Sequence, residues 1–203
     1  YHAGDSQSMN EVVQISKKNG VSIGAHPSFN DPENFGRERM ELSSAEIKKL
    51  IFDQYEILQK IAHNHGVTVT HIKPHGALYN QAAKDAQVAR VIGDAVDRID
   101  PHLNIMCLSG SLMVRVLEDM GLKVVQEAFA DRTYERNGSL RNRNLDHALI
   151  TSLQKAADQA RLIIERNKVI AFDGSEVSIE AQTICIHSDT PNAVAIAEEV
   201  STS

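Results

Sequence analysis

The sequence predicts an α/β fold built on a largely parallel sheet. Short apolar runs typical of strands alternate with longer segments whose apolar residues recur at helical spacing, and this alternation is typical of βα units. Four histidines, His2, His26, His75 and His187, stand where strand-like runs meet turns of small residues. Because the carboxyl ends of parallel strands lie on one edge of a sheet or one rim of a barrel, these positions predict an active site.

The elements of the first half follow from periodicity and capping residues. The predicted elements are a helix ending at Asn19-Gly20, a strand at 21–25, a helix from Ser43-Ser44 to about His65, a strand at 67–73 and a helix at 85–99. Glu46 completes a capping signature with Ser43, and Asp100-Pro101 halts the last of these helices. The segment HGALYN, 75–80, is predicted to be a loop.

The second half continues the alternation and then departs from it. The predicted elements are a strand at 105–108, a helix at 111–120, a strand at 123–129, a helix at 146–167, strands at 169–172, 176–179 and 183–186, and a helix from Pro191. Asp173-Gly174-Ser175 is a favourable hairpin turn between two of the strands. The sheet is therefore expected to be largely parallel, either open or closed into a barrel.

Composition favours one globular domain over residues 1–203. The chain has 203 residues, of which 42% are hydrophobic, a formal net charge of −6 and no Lys/Arg run longer than a pair. We therefore expect no nucleic-acid partner, no membrane and a cytoplasmic location. Cys107 and Cys185 are expected to be reduced, buried thiols. Because the chain begins with Tyr1 and no strand precedes HAGD, we also expect an N-terminal piece to be missing.

The segment KPHGALYN carries an unusual density of reactive groups. Lys73 and His75 share strand parity and can point to the same side, with Tyr79 and Asn80 shortly after them. His26, between Ala25 and Pro27, occupies an equivalent strand end, where a metal ligand or a general base would face a cleft. The alternatives are a lysine paired structurally with a carboxylate and histidines with structural hydrogen bonds.

Three later segments add candidate ligand groups. The backbone amides of Gly110 and Ser111 in LSGS could hold an anion at a strand-helix junction. Arg132 could bind a carboxylate bidentately, and the adjacent Asp131 could accept a proton or orient a histidine. His187 in HSDT again couples an imidazole with a carboxylate. Turning, capping and a local surface ion pair remain the alternatives for these segments.

These segments, taken in order, resemble the successive blocks of the LamB/YcsF family. The resemblance extends over nearly the whole chain, and KPHGALYN and FADRTY are its most specific parts. The block Asn-Cys-Asp-Leu-Gly-Glu that usually opens the family is absent here. The matching segments are HAGD, IGAHPS with FGR, IKPHGALYN, LSGS, FADRTY with NGSL, DGS and ICIHSDTPNA.

The resemblance implies a distorted β/α barrel similar to that of polysaccharide deacetylases. It also implies the A subunit of an ATP-dependent 5-oxoprolinase, which opens 5-oxo-L-proline to L-glutamate with ATP hydrolysis and works with B and C subunits. ATP is therefore an expected cofactor, and the chain itself contains no Walker nucleotide-binding pattern.

We hypothesise distinct roles for the candidate residues in lactam opening. Lys73 and the LSGS amides would steady developing negative charge, and Arg132 would hold the substrate carboxylate. Asp131 or a strand-end histidine would activate the nucleophile. The candidate catalytic residues are Lys73, His75, Asp131 and His26, and the candidate substrate-binding residues are Arg132, Gly110, Ser111, Tyr79 and His187.

Two alternative functions remain open from the sequence. One is a hydrolase of the deacetylase type that uses a divalent metal bound by His2 and His26, without ATP. The other is a non-catalytic protein that binds the lactam or serves as a scaffold for its partners.

Overall fold

The computed structural model describes residues 3–202. These residues form two compact units, unit 1 up to Cys107 together with Leu112–Val124, and unit 2 comprising Leu108–Ser111 and Val125 onward. No helix within residues 3–202 is both long enough and apolar enough to cross a membrane.

Helices and strands alternate through most of the described chain. In order they are α1 Ser6–Lys18, β1 Ile23–Ala25, α2 Ser44–Asn64, β2 Val69–Ile72, α3 Gly76–Ala82, α4 Ala86–Ile99, β3 Asn104–Leu108, α5 Leu112–Asp119, β4 Lys123–Phe129, α6 Leu153–Arg166, β5 Lys168–Ile170, β6 Glu176–Ser178, β7 Thr183–Cys185 and α7 Ala193–Thr202.

Unit 1 is a parallel sheet packed against helices. β1 pairs with β2, and β2 pairs with β3, in both cases in parallel. Ile72 of β2 lies opposite Ile105 of β3, and both side chains are fully buried. They join Ile51 of α2 and Ile92 of α4 in one hydrophobic cluster. Burial of this apolar surface is the main force that holds the strand ends in place.

Unit 2 contains a parallel strand pair, an antiparallel hairpin and two packed helices. β4 pairs in parallel with β7, and β5 pairs antiparallel with β6. Its helices α6 and α7 meet at a small cluster that includes Ala156, Ala160 and Ile196. Small alanine side chains let the two helices approach closely, and Ile196 fills the space between them.

The predicted fold class is confirmed: parallel strands alternate with helices, as in a distorted β/α barrel. The capping box of Ser43 and Glu46 is present at the start of α2. Asp85 caps α4 through the backbone N–H groups of residues 87 and 88. The hairpin around Asp173-Gly174-Ser175 is also observed. The boundary of a single domain over 1–203 stays a prediction.

Two predicted elements were wrong. The segment HGALYN is not a loop, because α3 begins at Gly76 and buries the side chains of Ala77, Leu78 and Tyr79. The long helix predicted at 146–167 begins only at Leu153, with Ser152 as its cap. Residues 146 and 147 form a turn, and the backbone of residues 149 and 150 then pairs with residues 132 and 131 instead of continuing a helix.

Candidate functional site

The ends of β1 and β2 bring His26, Lys73 and His75 together. The parallel ladder continues beyond the strands, because Lys73 N–H donates to Ala25 O at 2.9 Å and His75 N–H donates to Pro27 O at 2.8 Å. This register places the His26 and His75 rings edge to face, with centroids 4.7 Å apart. The structure therefore brings together three of the residues that the sequence singled out as catalytic.

The two imidazoles contact each other and the backbone of neighbouring segments. His26 Nδ1 lies 2.6 Å from Lys73 O, and His75 Nε2 lies 2.9 Å from Phe35 O. The other two ring nitrogens, His75 Nδ1 and His26 Nε2, face each other at 2.8 Å. These contacts fix the position of both rings at the ends of β1 and β2.

The loop that carries Phe35 is held closely against the start of α3. Ala77 N–H donates to Gly36 O at 3.0 Å. Gly76 has φ +55°, and a Cβ there would come within 2.4 Å of Gly36 O. Only glycine combines this left-handed conformation with so close a backbone approach. The glycine in KPHGALYN thus fixes the loop that supplies the carbonyl partner of His75.

Lys73 and Tyr79 lie near each other in this cluster. The Lys73 ammonium is 5.9 Å from the centroid of the Tyr79 ring, at the outer limit of a cation–π contact. The Arg37 guanidinium lies 4.7 Å from the Phe35 ring, so a second cation stands on the same loop. The surroundings of the histidine pair in unit 1 therefore favour ligands that carry or develop negative charge.

His71 belongs to this part of β2, and the sequence analysis did not single it out. Gly24 lies opposite His71 in the ladder, and a Cβ at position 24 would fall 2.0 Å from His71 Nε2. Thr70 Oγ1 lies 2.9 Å from His71 Nδ1 and holds the ring. The signal was available: a glycine inside a short strand marks a place where another group comes close to the backbone.

In unit 2, Asp131 and His187 form a hydrogen-bonded pair beyond the ends of β4 and β7. The Asp131 side chain is fully buried. It accepts hydrogen bonds from His187 Nδ1 at 3.0 Å, from His187 N–H at 2.9 Å and from Thr190 Oγ1 at 2.5 Å. The His187 ring stacks on Phe129, with centroids 5.2 Å apart and an interplanar angle of 18°.

The pKa of Asp131 is lowered in spite of its burial. Desolvation by itself would raise that pKa, but the hydrogen bonds and the charge of His187 and the hydroxyl of Thr190 favour the ionised form and outweigh it. A carboxylate with this many donors remains charged at neutral pH. Thr190 is thus a partner of Asp131, a role that HSDT alone did not reveal.

Arg132 is buried and binds the backbone of the loop that follows it. Its Nε donates to Ala148 O at 3.2 Å, and its Nη2 donates to Arg141 O at 2.5 Å. Arg141 in turn lies over the Phe172 ring at 3.6 Å and pairs with Glu135 at 2.7 Å. In this arrangement Arg132 organises residues 141–148, and its role as a binder of the substrate carboxylate stays a prediction.

The amides of Gly110, Ser111 and Leu112 all donate to protein atoms. Gly110 N–H donates to Gln126 Oε1 at 3.0 Å. Ser111 N–H donates to Leu108 O, and Leu112 N–H donates to Ala83 O, both at 3.1 Å. An anion would reach Gly110 only after displacing the Gln126 side chain. The geometry therefore gives no open anion cradle here, and substrate binding by Gly110 and Ser111 stays a prediction without structural support.

The predicted metal ligand His2 lies outside the described residues. Within residues 3–202, no group of three or more His, Cys, Asp or Glu side chains is arranged to hold a metal ion. His26, the other predicted ligand, directs both ring nitrogens to protein atoms. A metal site that includes His2 and His26 therefore stays a prediction.

Glu127 and Tyr134 are two buried polar residues of unit 2 that received no role from the sequence. Glu127 is 2% exposed, and Tyr134 is fully buried. Burial, together with the nearby Glu127 charge, raises the pKa of Tyr134 far above its usual range, so the phenol stays protonated. Its oxygen accepts the Phe129 N–H at 2.8 Å. The sequence contained one signal for Glu127, because an acidic residue within the largely apolar strand VVQEAF indicates a buried carboxyl group.

Comparisons with known proteins agree over almost the whole chain. The model of the LamB/YcsF family matches residues 1–203. A protein of Staphylococcus carnosus (strain TM300), named as the A subunit of 5-oxoprolinase, is 42% identical over 98% of this chain and 79% of its own length. A protein of the same name from Haemophilus influenzae (strain PittEE) is 43% identical over 98% of this chain and 81% of its own length. The crystal structure of a lactam utilization protein from Thermus thermophilus superposes with a TM-score of 0.91 and 39% identity, covering 98% of this chain and 80% of that one.

Proposed function

Because the chain belongs to the LamB/YcsF family, we propose that it acts as the A subunit of an ATP-dependent 5-oxoprolinase. The reaction opens the lactam of 5-oxo-L-proline to give L-glutamate and is coupled to ATP hydrolysis. The observation that carries this proposal is the 42% identity, over 98% of the chain, to a relative named as the A subunit of 5-oxoprolinase.

The chemistry of the substrate explains why ATP is required. A five-membered lactam is an unactivated amide, and its carbonyl oxygen is a poor leaving group. Phosphorylation of that oxygen by ATP would make the carbon open to attack by water. The chain has no Walker nucleotide-binding pattern, so we propose that ATP is bound in the assembly with B and C subunits.

The donors of unit 1 suit the charge that this reaction places on the lactam oxygen. Lys73 is a cation at the end of β2, and the His26 and His75 rings lie beside it. The phosphoryl group on the lactam oxygen is negatively charged, and fixed donors and positive charge stabilise such a group. We assign Lys73 and the histidine pair to this electrostatic role.

A reconstitution assay tests the proposal. The chain in its full-length form is mixed with its candidate B and C subunits, and glutamate release from 5-oxoproline is measured with and without ATP and with and without chelator. We expect glutamate only when ATP and both partners are present. Release by the chain alone, independent of ATP and abolished by chelator, would instead support a metal-dependent hydrolase.

Two variants separate catalysis from scaffolding. Lys73→Ala and His75→Ala should lower turnover by the assembly by at least about 100-fold, the usual effect of losing an electrostatic stabiliser. His63→Ala, at an exposed position near the end of α2, is the matched control and should retain full activity. Full activity of both test variants would point instead to lactam binding or scaffolding as the role of this chain.

A further inference from the structure

The Asp131 carboxylate is fully engaged by its own protein. Its Oδ2 accepts from the His187 backbone N–H at 2.9 Å and from Thr190 Oγ1 at 2.5 Å, and its Oδ1 accepts from His187 Nδ1 at 3.0 Å. Its side chain has no exposed surface. A carboxylate in this position has no route to a bound substrate, so any effect that it has on chemistry passes through His187.

These hydrogen bonds fix the tautomer of His187. The ionised carboxylate only accepts, so Nδ1 carries the hydrogen, and the lone pair of the neutral form of the ring lies at Nε2. Phe129 stacks on the ring at 5.2 Å and sets its plane. The His187 side chain is 20% exposed, in contrast to the buried Asp131. The one unprotonated nitrogen of this pair therefore belongs to the residue that a ligand can reach.

The charge of the pair also suits proton transfer. The donors around Asp131 lower its pKa, so the carboxylate is ionised at neutral pH. When His187 accepts a proton at Nε2, the imidazolium forms against a buried negative charge that is already in place. A preorganised partner of this kind stabilises the protonated base without rearrangement of the site.

We propose that His187 is the general base of the reaction and that Asp131 is its positioning residue. This inference rests on the proposed lactam-opening function. His187 Nε2 takes a proton from water as the water oxygen bonds to the carbon of the phosphorylated carbonyl. When the C–N bond breaks, its electron pair stays on nitrogen, and the imidazolium returns the proton to that nitrogen. This step consumes one water and gives an amine and an acyl phosphate, and a second water then releases inorganic phosphate and leaves the carboxyl group.

The first test is the tautomer, which can be measured without substrate. The ¹⁵N chemical shifts of His187 in the labelled protein should show hydrogen on Nδ1 and a lone pair on Nε2. In Asp131→Asn the side-chain amide can donate to Nδ1, and the hydrogen should move to Nε2. Hydrogen on Nε2 of neutral His187 in the wild type would overturn the inference, whatever the activity of the assembly.

The second test is kinetic and uses the reconstituted assembly. His187→Gln should lower kcat by about 100-fold or more with little change in KM, the usual size of a general-base contribution. It should also abolish the acidic limb of the pH profile of kcat. Asp131→Asn should lower kcat similarly, and Thr190→Val should have a smaller effect in the same direction. His102→Gln, at an exposed position before β3, is the matched control and should retain wild-type kcat.

The outcomes distinguish the two proposals. If the wild-type assembly releases glutamate and a folded His187→Gln variant does so at the wild-type rate, the general-base assignment fails and the proposed function stands. If the wild-type assembly releases none, the proposed function fails. Should Asp131→Asn not fold, the wild-type tautomer and the kinetics of His187→Gln still decide the assignment.

Discussion

Replacement of Gly24 by alanine should destabilise unit 1 because the new Cβ has no room. It would lie 2.0 Å from Nε2 of His71, well inside van der Waals contact. The ring has little freedom to move away, since Thr70 Oγ1 bonds its other nitrogen at 2.9 Å. Overpacking of this kind costs about 1–3 kcal/mol, and the severity of this contact points to the upper part of that range. For a protein of this size the melting temperature should fall by about 5–10 °C.

Thermal and urea unfolding of the single and double variants measure this effect. His71→Ala removes the obstructing ring, so Gly24→Ala should cost at least about 1 kcal/mol less in that background than in the wild type. Gly20→Ala is the matched control, because nothing lies within 4 Å of its new Cβ. Gly20 has φ +65°, so Gly20→Ala has a free-energy cost from backbone strain. That cost should be the same in the wild type and in the His71→Ala background. A Gly24→Ala variant as stable as the wild type would refute the steric argument.

Three further predictions concern stability. Tyr134→Phe should cost about 1–3 kcal/mol in urea unfolding, because it leaves the buried Phe129 N–H without its acceptor at 2.8 Å; an unchanged midpoint would contradict this. Because the folded pKa of Asp131 is lowered, its stabilising contribution is present above its unfolded pKa of about 3.9 and is lost as the pH falls through the folded value. The difference in unfolding free energy between wild type and Asp131→Asn should therefore shrink in acid, and a difference independent of pH would count against an ionised Asp131. Ser43→Ala removes the capping box with Glu46 and should lower the unfolding free energy by about 1 kcal/mol; an unfolding free energy equal to that of the wild type would contradict this role of the cap.

Local signals in the sequence were sufficient for most helices and strands. The capping residues of α2 and α4 act on backbone groups two or three positions away, so these helix starts can be predicted from the local sequence. The start of α6 was missed because residues 149 and 150 pair with residues 17 or more positions earlier, at 131 and 132. No local pattern reports such a pairing. The short α3 was missed because its first residue is a glycine, a residue that helices disfavour.

The sequence predicted which residues form the candidate sites, but it did not predict their hydrogen-bond partners. Parallel strand ends placed His26 near His75, and Asp131 near His187, as expected from topology. The hydrogen-bond partners of each pair are distant in the sequence. Phe35 O binds His75 from 40 residues away, and Thr190 binds Asp131 from 59 residues away. These partners become visible only in three dimensions.

The contact between the rings of His26 and His75 makes distant parts of the chain depend on each other. The two residues are 49 positions apart, and His75 also reaches a third segment at Phe35 O, 2.9 Å from its Nε2. Local opening of any one of these segments would remove a partner from the rings held by the other two. Amide hydrogen exchange would detect this dependence in His26→Ala as lower protection of the Lys73 and His75 N–H groups, which donate to Ala25 O and Pro27 O.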